Sequence, residues 1–534
     1  MKLNEETLKQ TSFWEESGYN LPKFDREKMT AETKENPVWV HFGGGNLFRA
    51  FHAAIAQRML NAGKMKSGIT VIEGFDYEIV QKMYRMNNNL SIAVTLKSNG
   101  TIDKTIIGSI GESCILDSTN DTEFNRLKEI FSKDSLQMAT FTITEKGYAL
   151  VDAKGVTLPA IEADYAAGPA QPKSYIGKVA ALLYTRFKAG KKPIAMVSTD
   201  NCSHNGDKLY NAMNGFAKAW AEKGLVEKEF VDYVNSDLVS FPWSMIDKIT
   251  PRPDATVEEM LKKDGLEGLE PVITTMKSYV AKFVNAEETE YLVIEDKFPN
   301  GRPALEEAGV IFTDRATVDK VETMKVGTCL NPLHTCLAVY GCLLGYKKIS
   351  DEMKDPELVG MIKRLGYVEG LPVVVNPGVL DPKQFIDTCI NVRFPNPFMP
   401  DTPQRIATDT SQKLSVRYGT TISKYIENKM DLNNLKVIPL VQAGWIRYLM
   451  GVDDAGNKFE LSPDPLLQEV LPYVDGLTAE NVEEKVGPLL HNKVIFRFDL
   501  YEIGLADKVI ANLKAMLKGP GSIRARIKEV LAEK

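Results

Sequence analysis

Residues 38–42, Val-Trp-Val-His-Phe, form a short apolar, β-prone run that stops at Gly43-Gly44-Gly45, and residues 47–60 then place apolar side chains at helical spacing. A strand feeding a glycine turn that feeds a helix is a strong constraint on the fold. Small residues let a ligand approach the backbone, and a helix N-terminus favours an anion, so the unit suits a pyrophosphate. Gly43 and Gly45 satisfy the G-x-G half of a dinucleotide pattern, whereas Phe48 stands where a third glycine belongs. On the glycines alone, a plain tight turn is an equal reading.

The second β-prone run, residues 68–72, shifts that balance because it closes with Glu73 and Asp76. A carboxylate there can accept the ribose hydroxyls of an adenosine and would repel a 2′-phosphate, so NAD is preferred over NADP. Asp76 is the better candidate and Glu73 the alternative; solvated turn carboxylates are the plainer reading of both. Further β-prone runs at 138–143 and 192–198 alternate with helical stretches, which argues for an α/β domain with a mainly parallel sheet. From about residue 319 the pattern becomes helical, in segments 319–347, 351–365, 402–429, 437–451 and 504–533. The expected division is therefore 1–318, an α/β domain preceded by an irregular arm of roughly 35 residues, and 319–534, a mostly α-helical domain.

Charge and cysteine usage narrow the partners. With 65 basic and 71 acidic residues the net charge is −6, and no like-charged block marks a nucleic-acid surface. The N-terminus lacks the basic and apolar regions of a secretory signal, and no apolar run is long enough to span a bilayer, so no membrane partner and a cytoplasmic location are expected. Six cysteines occur without a CxxC pair, and five histidines without HExxH, which reads as buried thiols and no metal site.

The segment Phe42-Gly43-Gly44-Gly45-Asn46-Leu47-Phe48-Arg49-Ala50-Phe51 resembles the start of the polyol-specific long-chain dehydrogenases, a family that includes mannitol dehydrogenases and uronate reductases. The likeness continues in family order through Thr144-Glu145-Lys146-Gly147-Tyr148, Ser198-Thr199-Asp200-Asn201 with His204-Asn205-Gly206, and residues 241–251 and 294–303. It then reaches Asn331-Pro332-Leu333-His334, the 393–413 stretch, and residues 445–451, so it covers roughly residues 38–455. The resemblance implies a Rossmann-type N-terminal domain for NAD, a helical C-terminal domain for substrate and catalysis, and metal-free hydride transfer with a sugar acid or polyol. A keto-uronate reductase is favoured, with an enzyme of neutral ketoses as the alternative and a catalytically silent sugar- or NAD-binding protein as the rival of another class.

Carried over residue by residue, Lys325 becomes the general acid/base, Asn201 and Asn331 the amides on the reacting oxygen, and His334, Arg405 and Lys413 the substrate neighbours. Gly43, Gly45, Asn46, Leu47 and Phe48, with Glu73, Asp76 and Glu145, become the cofactor set. The chemistry is self-consistent: a lysine can take a hydroxyl proton when burial and nearby cations favour its neutral form, and amide donors stabilise the developing alkoxide. Each residue also has an ordinary reading. Lys325 suits a solvated helix face, Asn331 before Pro332 suits a helix N-cap, His334 a core position, Asn201 a turn brace, and Arg405 and Lys413 a solvated surface.

One departure falls at the centre of the motif. The family pattern separates the lysine from the asparagine by five residues, and here Lys325 precedes Asn331 by six, with Pro332 following. One extra residue turns a helical side chain by about 100°. A π-bulge or kink between Lys325 and Pro332 is expected to absorb it.

Overall fold

The computed structural model describes residues 1–533. The backbone divides into two compact units, one of residues 1–97 and 101–319, the other of 98–100 and 320–534.

The first unit is built on a six-stranded sheet: β1 (Trp39–Phe42), β2 (Ile69–Glu73), β3 (Ile110–Ile115), β4 (Met138–Phe141), β5 (Ile194–Ser198) and β6 (Val239–Ser240). Its order is β3-β2-β1-β4-β5-β6, and every pairing is parallel. Strands β1, β2, β4 and β5 are buried at every residue, as a sheet covered on both faces requires. Alternation sorts the side chains: Val40, Phe42, Ala139 and Phe141 enter one apolar cluster, Trp39 and Met138 the other. Helices α1 (Ala53–Asn61), α2 (Asp121–Ser132), α3 (Tyr175–Lys188) and α4 (Asn205–Glu222) complete those clusters. This is a Rossmann-type sheet, and its strand order reverses between β1 and β4, where such sheets open a ligand crevice beyond the strand ends.

Two features of this unit depart from the sequence reading. The irregular arm is in fact ordered into helices Glu5–Leu8, Thr11–Glu16 and Arg26–Glu35 and a strand, Tyr19–Asn20, that pairs with Lys104 and Thr105. Asn4 and Asp25 cap the first and third helices, and Trp14 and Met29 bury fully. The unit also carries sheets outside the parallel alternation. Ser91–Leu96 and Ile102–Ile107 pair antiparallel beside Phe283–Glu287, and Ser244–Asp247 pairs antiparallel with Tyr291–Glu295.

The second unit is helical. The chain enters it through α5 (Arg315–Met324) and continues through α6 (Asn331–Leu343), α7 (Thr410–Arg417), α8 (Val437–Tyr448) and α9 (Ala506–Met516), among shorter helices. Helix α8 is buried along its whole length. Gly444 lets it approach α6, since a Cβ there would lie 2.7 Å from the Tyr340 ring, and the Tyr340 hydroxyl donates to Leu440 O at 2.7 Å. All six cysteines are free and five are buried. Among the described residues no helix is long and apolar enough to cross a membrane, and no three His, Cys, Asp or Glu side chains gather as metal ligands.

Candidate active site

In the first unit a cavity of about 500 Å³ opens beyond the C-terminal ends of β1, β2 and β4. Its walls include Gly43, Gly45, Glu73, Phe75, Asp76 and Tyr175. Gly43 is held at φ +108°, and a Cβ there would lie 2.3 Å from Thr142 O, so only glycine lets the β1 turn pass β4 this closely. Gly45 is different, because a Cβ there would meet nothing within 4 Å. It leaves the floor of the cavity open for a ligand.

The two acidic candidates have separate jobs. Glu73 Oε2 accepts from Gly44 N at 2.7 Å, while Oε1 accepts from Phe75 N at 2.7 Å and Asp76 N at 3.1 Å. It is the brace of the glycine turn. Asp76 is 1% exposed and accepts from Thr274 Oγ1 at 2.5 Å through Oδ2, but its Oδ1 is buried without a partner. The Tyr175 hydroxyl in the same wall is also buried and unpartnered. Burial, with Glu73 and Asp200 nearby, holds that phenol well above its ordinary pKa, so it remains a donor. An orphaned acceptor and an orphaned donor in one cavity mark a polar ligand, and a dinucleotide's hydroxyls and phosphates fit them.

The remaining cofactor candidates lie elsewhere. Phe48 is fully buried and stacks on His41 with centroids 4.5 Å apart, so it is a core residue: the ring occupies the helix–strand contact that a third glycine would have left narrow. Leu47 packs beside the same cluster, and the Asn46 amide oxygen accepts from Arg49 at 3.0 Å. Glu145 is exposed and pairs with Lys208 at 2.9 Å, while its neighbours Thr144, Lys146 and Gly147 line the wall. Asp200 shapes that wall by accepting from Ile143 N, Thr144 N and the Tyr148 hydroxyl at 3.0, 2.9 and 2.5 Å. Asn201 follows it, exposed in the turn between β5 and α4.

The second unit holds the other candidates. Helix α5 gives way to a π-helical turn, Lys325–Cys329, in which Leu330 N donates to Lys325 O at 3.1 Å. The turn consumes the extra residue counted in the sequence, and Pro332 falls in the first turn of α6, where its missing N–H breaks no bond. Lys325 is 5% exposed, which excludes the solvated-face reading. Asn331 is not the N-cap; that position is Leu330, which makes no side-chain cap.

His334 lies 3.4 Å from Asp401 Oδ2, too poorly aligned for a hydrogen bond, and packs against the Phe394 ring. Burial, with Arg417 and Arg393 adding to it, lowers its pKa against the pull of Asp401, so the imidazole is neutral near pH 7. Arg405 pairs with Asp401. Lys413 donates to Ile406 O at 3.1 Å and to Thr408 O, and burial together with the Arg417 charge pushes its pKa down to about 8.

Residues 38–307 match the model of the mannitol dehydrogenase Rossmann domain, and residues 317–517 that of the mannitol dehydrogenase C-terminal domain. The chain belongs to the mannitol dehydrogenase family. It is 51% identical to a D-mannonate oxidoreductase of Thermotoga maritima over 99% of both chains. Among solved structures it resembles a substrate-free D-sorbitol dehydrogenase, with TM-score 0.80, 25% identity and coverage of 99% and 100% of the two chains. It also resembles the Pseudomonas fluorescens mannitol 2-dehydrogenase in its ternary complex with NAD and D-mannitol, with TM-score 0.69, 26% identity and full coverage of both.

Two residues of this mannitol dehydrogenase family member escaped the sequence reading. Tyr175 sits more than a hundred residues beyond the glycine turn, at the start of α3, with no local motif around it. Arg417 carries a visible signal: it falls four residues after Lys413 and so shares one face of α7 with it.

Proposed function

We propose that the chain interconverts D-mannonate and D-fructuronate, passing hydride to and from NAD. The observation that carries this reading is the 51% identity, over 99% of the chain, to a protein named D-mannonate oxidoreductase. The chain is an NAD-dependent oxidoreductase acting on a CH–OH group, and the family and its NAD-bound structural relative support that class. Residues 1–318 bind the cofactor and residues 319–534 supply the groups for substrate and proton transfer. A cytoplasmic location is part of this reading, and six free cysteines are consistent with a reducing compartment.

The glycine turn at Gly43–Gly45 leaves its backbone open to the pyrophosphate, Asp76 Oδ1 accepts from the ribose, and the Tyr175 hydroxyl, the other unpartnered group of the wall, donates to the cofactor. Bound NADH supplies the hydride for reduction, and NAD receives it in oxidation. In reduction Lys325 Nζ gives a proton to the keto oxygen as the carbon gains hydride; in oxidation it takes the hydroxyl proton back. The Asn331 and Asn201 amides donate to that oxygen and stabilise the negative charge that develops on it. His334, neutral, hydrogen-bonds a substrate hydroxyl, while Arg405 and Lys413 contact the polar end of the molecule.

The test is oxidation of D-mannonate with NAD, followed by NADH absorbance and identification of the product. Formation of D-fructuronate is expected. Preferential oxidation of mannitol, with D-mannonate inert, would replace this reading with a mannitol 2-dehydrogenase.

A further inference from the structure

A uronate differs from the corresponding neutral ketose by a carboxylate at the end of its carbon chain, so a protein that selects it must offer a cation that nothing else neutralises. Arg405 does not qualify, because Asp401 already pairs with it. Lys413 and Arg417 do. They stand four residues apart on α7, and among the described residues neither has an ion-pair partner. Asp409 and Asp464 lie close enough to act on the Lys413 charge, but neither forms an ion pair with either cation, and Asp464 accepts from Ser411 N and Oγ and from Leu466 N instead.

Arg417 is also pre-set in orientation. Its Nη1 donates to Thr335 Oγ1 and, at 3.4 Å, to Asn331 O, which fixes the guanidinium to the first turn of α6, where Asn331 itself stands. Nε and Nη2 make no hydrogen bond among the described residues. That free edge is the fork that matches a carboxylate with two parallel N–H···O bonds. Two half-buried cations side by side repel each other and cost stability. The repulsion shows at Lys413, where burial together with the Arg417 charge pushes the pKa down to about 8, while Arg417 is lowered to about 10 by burial. Such an arrangement persists at sites where an anion completes it.

We infer that Arg417, through Nε and Nη2 and with Lys413 beside it, receives the substrate carboxylate and is the residue that selects a sugar acid over a neutral ketose. This rests on the uronate reading above. It adds a residue that reads the acid, distinct from the groups at the reacting carbon.

The experiment measures NADH-linked reduction of D-fructuronate and of D-fructose by the wild type, Arg417→Met and Arg417→Lys, with melting temperature and NADH affinity alongside. Arg417→Met is expected to lower the fructuronate-to-fructose ratio of kcat/KM by about 100-fold, chiefly through KM for fructuronate. Arg417→Lys, which keeps the charge and loses the fork, should recover part of that ratio. Equal losses on both substrates, or no loss on fructuronate, would overturn the inference while leaving the uronate reading intact. If Arg417→Met does not fold, Arg417→Lys alone decides, since a ratio equal to the wild type would refute the fork. A wild type that reduces fructose but not fructuronate would remove the uronate reading and this inference together.

Discussion

Replacing Asp76 by alanine should change which nicotinamide cofactor the protein accepts. Asp76 Oδ1 is buried at the cavity wall with no partner, while Oδ2 is tied to Thr274. A ribose hydroxyl donating to that free oxygen makes a charge-assisted bond, and its loss costs about 1.5–3 kcal/mol, or roughly 10–100-fold in NADH affinity. NADPH gains by the same change. A 2′-phosphate within about 4 Å of the carboxylate is opposed by about 4 kcal/mol per unit charge at an effective dielectric of about 20, and solvent around the phosphate screens part of that. Taken together, Asp76→Ala should lower the NADH-to-NADPH ratio of kcat/KM by at least about 100-fold. Both cofactors would be titrated by fluorescence and compared in steady-state reduction. Glu73→Ala is the contrast. It removes three backbone-amide contacts and should destabilise the fold by about 2–4 kcal/mol while weakening both cofactors alike. A cofactor ratio unchanged within about 3-fold in Asp76→Ala would refute the assignment.

Three further outcomes are expected. Lys325→Ala should lower kcat by about 10²–10⁴-fold and leave NADH affinity near that of the wild type; a near-normal kcat would pass the proton-transfer role to another group, with Lys413 first in line. Lys413 titrates near pH 8 among Arg417, Asp409, Asp464 and Arg405, and an anionic substrate binds its protonated form. KM for fructuronate should therefore rise as pH climbs above about 8, KM for fructose should not, and Lys413→Met should flatten the difference. Glu352 is fully buried, both its oxygens lack partners, and burial, with Asp355 adding to it, holds its pKa well above the carboxylate range. The folded protein keeps a proton that the unfolded chain releases, so this group's cost to stability grows as pH rises from the ordinary carboxylate range towards the raised value. Glu352→Met should stabilise by about 1–3 kcal/mol, with a gap in melting temperature wider at pH 8 than at pH 5; a lower melting temperature at both would contradict it.

Local signals carried the parts of the molecule that depend on near neighbours. The strand–glycine–helix unit at residues 38–60 is legible because its geometry is set within one turn, and the six-residue Lys325–Asn331 spacing, set against the five of the family pattern, pointed to a π-bulge or kink where the structure has a π-helical turn. What long-range packing decides was hidden. Phe48 reads as part of a ligand loop until His41, one strand earlier, is seen stacked against it. The Tyr175 hydroxyl becomes interesting only once the cavity leaves it without a partner. Asn99-Gly100 is the local turn signal of the antiparallel hairpin 91–107, a pairing that the expectation of a mainly parallel sheet did not include. The N-terminal arm looked irregular because its helices are short and held by caps and by Trp14, which sequence periodicity over so few residues cannot register.

On the reading proposed above, this mannitol dehydrogenase family member reduces a keto-uronate with NADH. Steady-state NADH oxidation with D-fructuronate, D-tagaturonate and D-fructose, measured side by side on the wild-type protein, decides whether it does. The highest kcat/KM is expected for D-fructuronate, with fructose lower by at least about 100-fold because it brings no charge to Lys413 and Arg417. Fructose turned over as well as or better than either uronate would contradict it, and tagaturonate in first place would keep the acid while correcting the sugar.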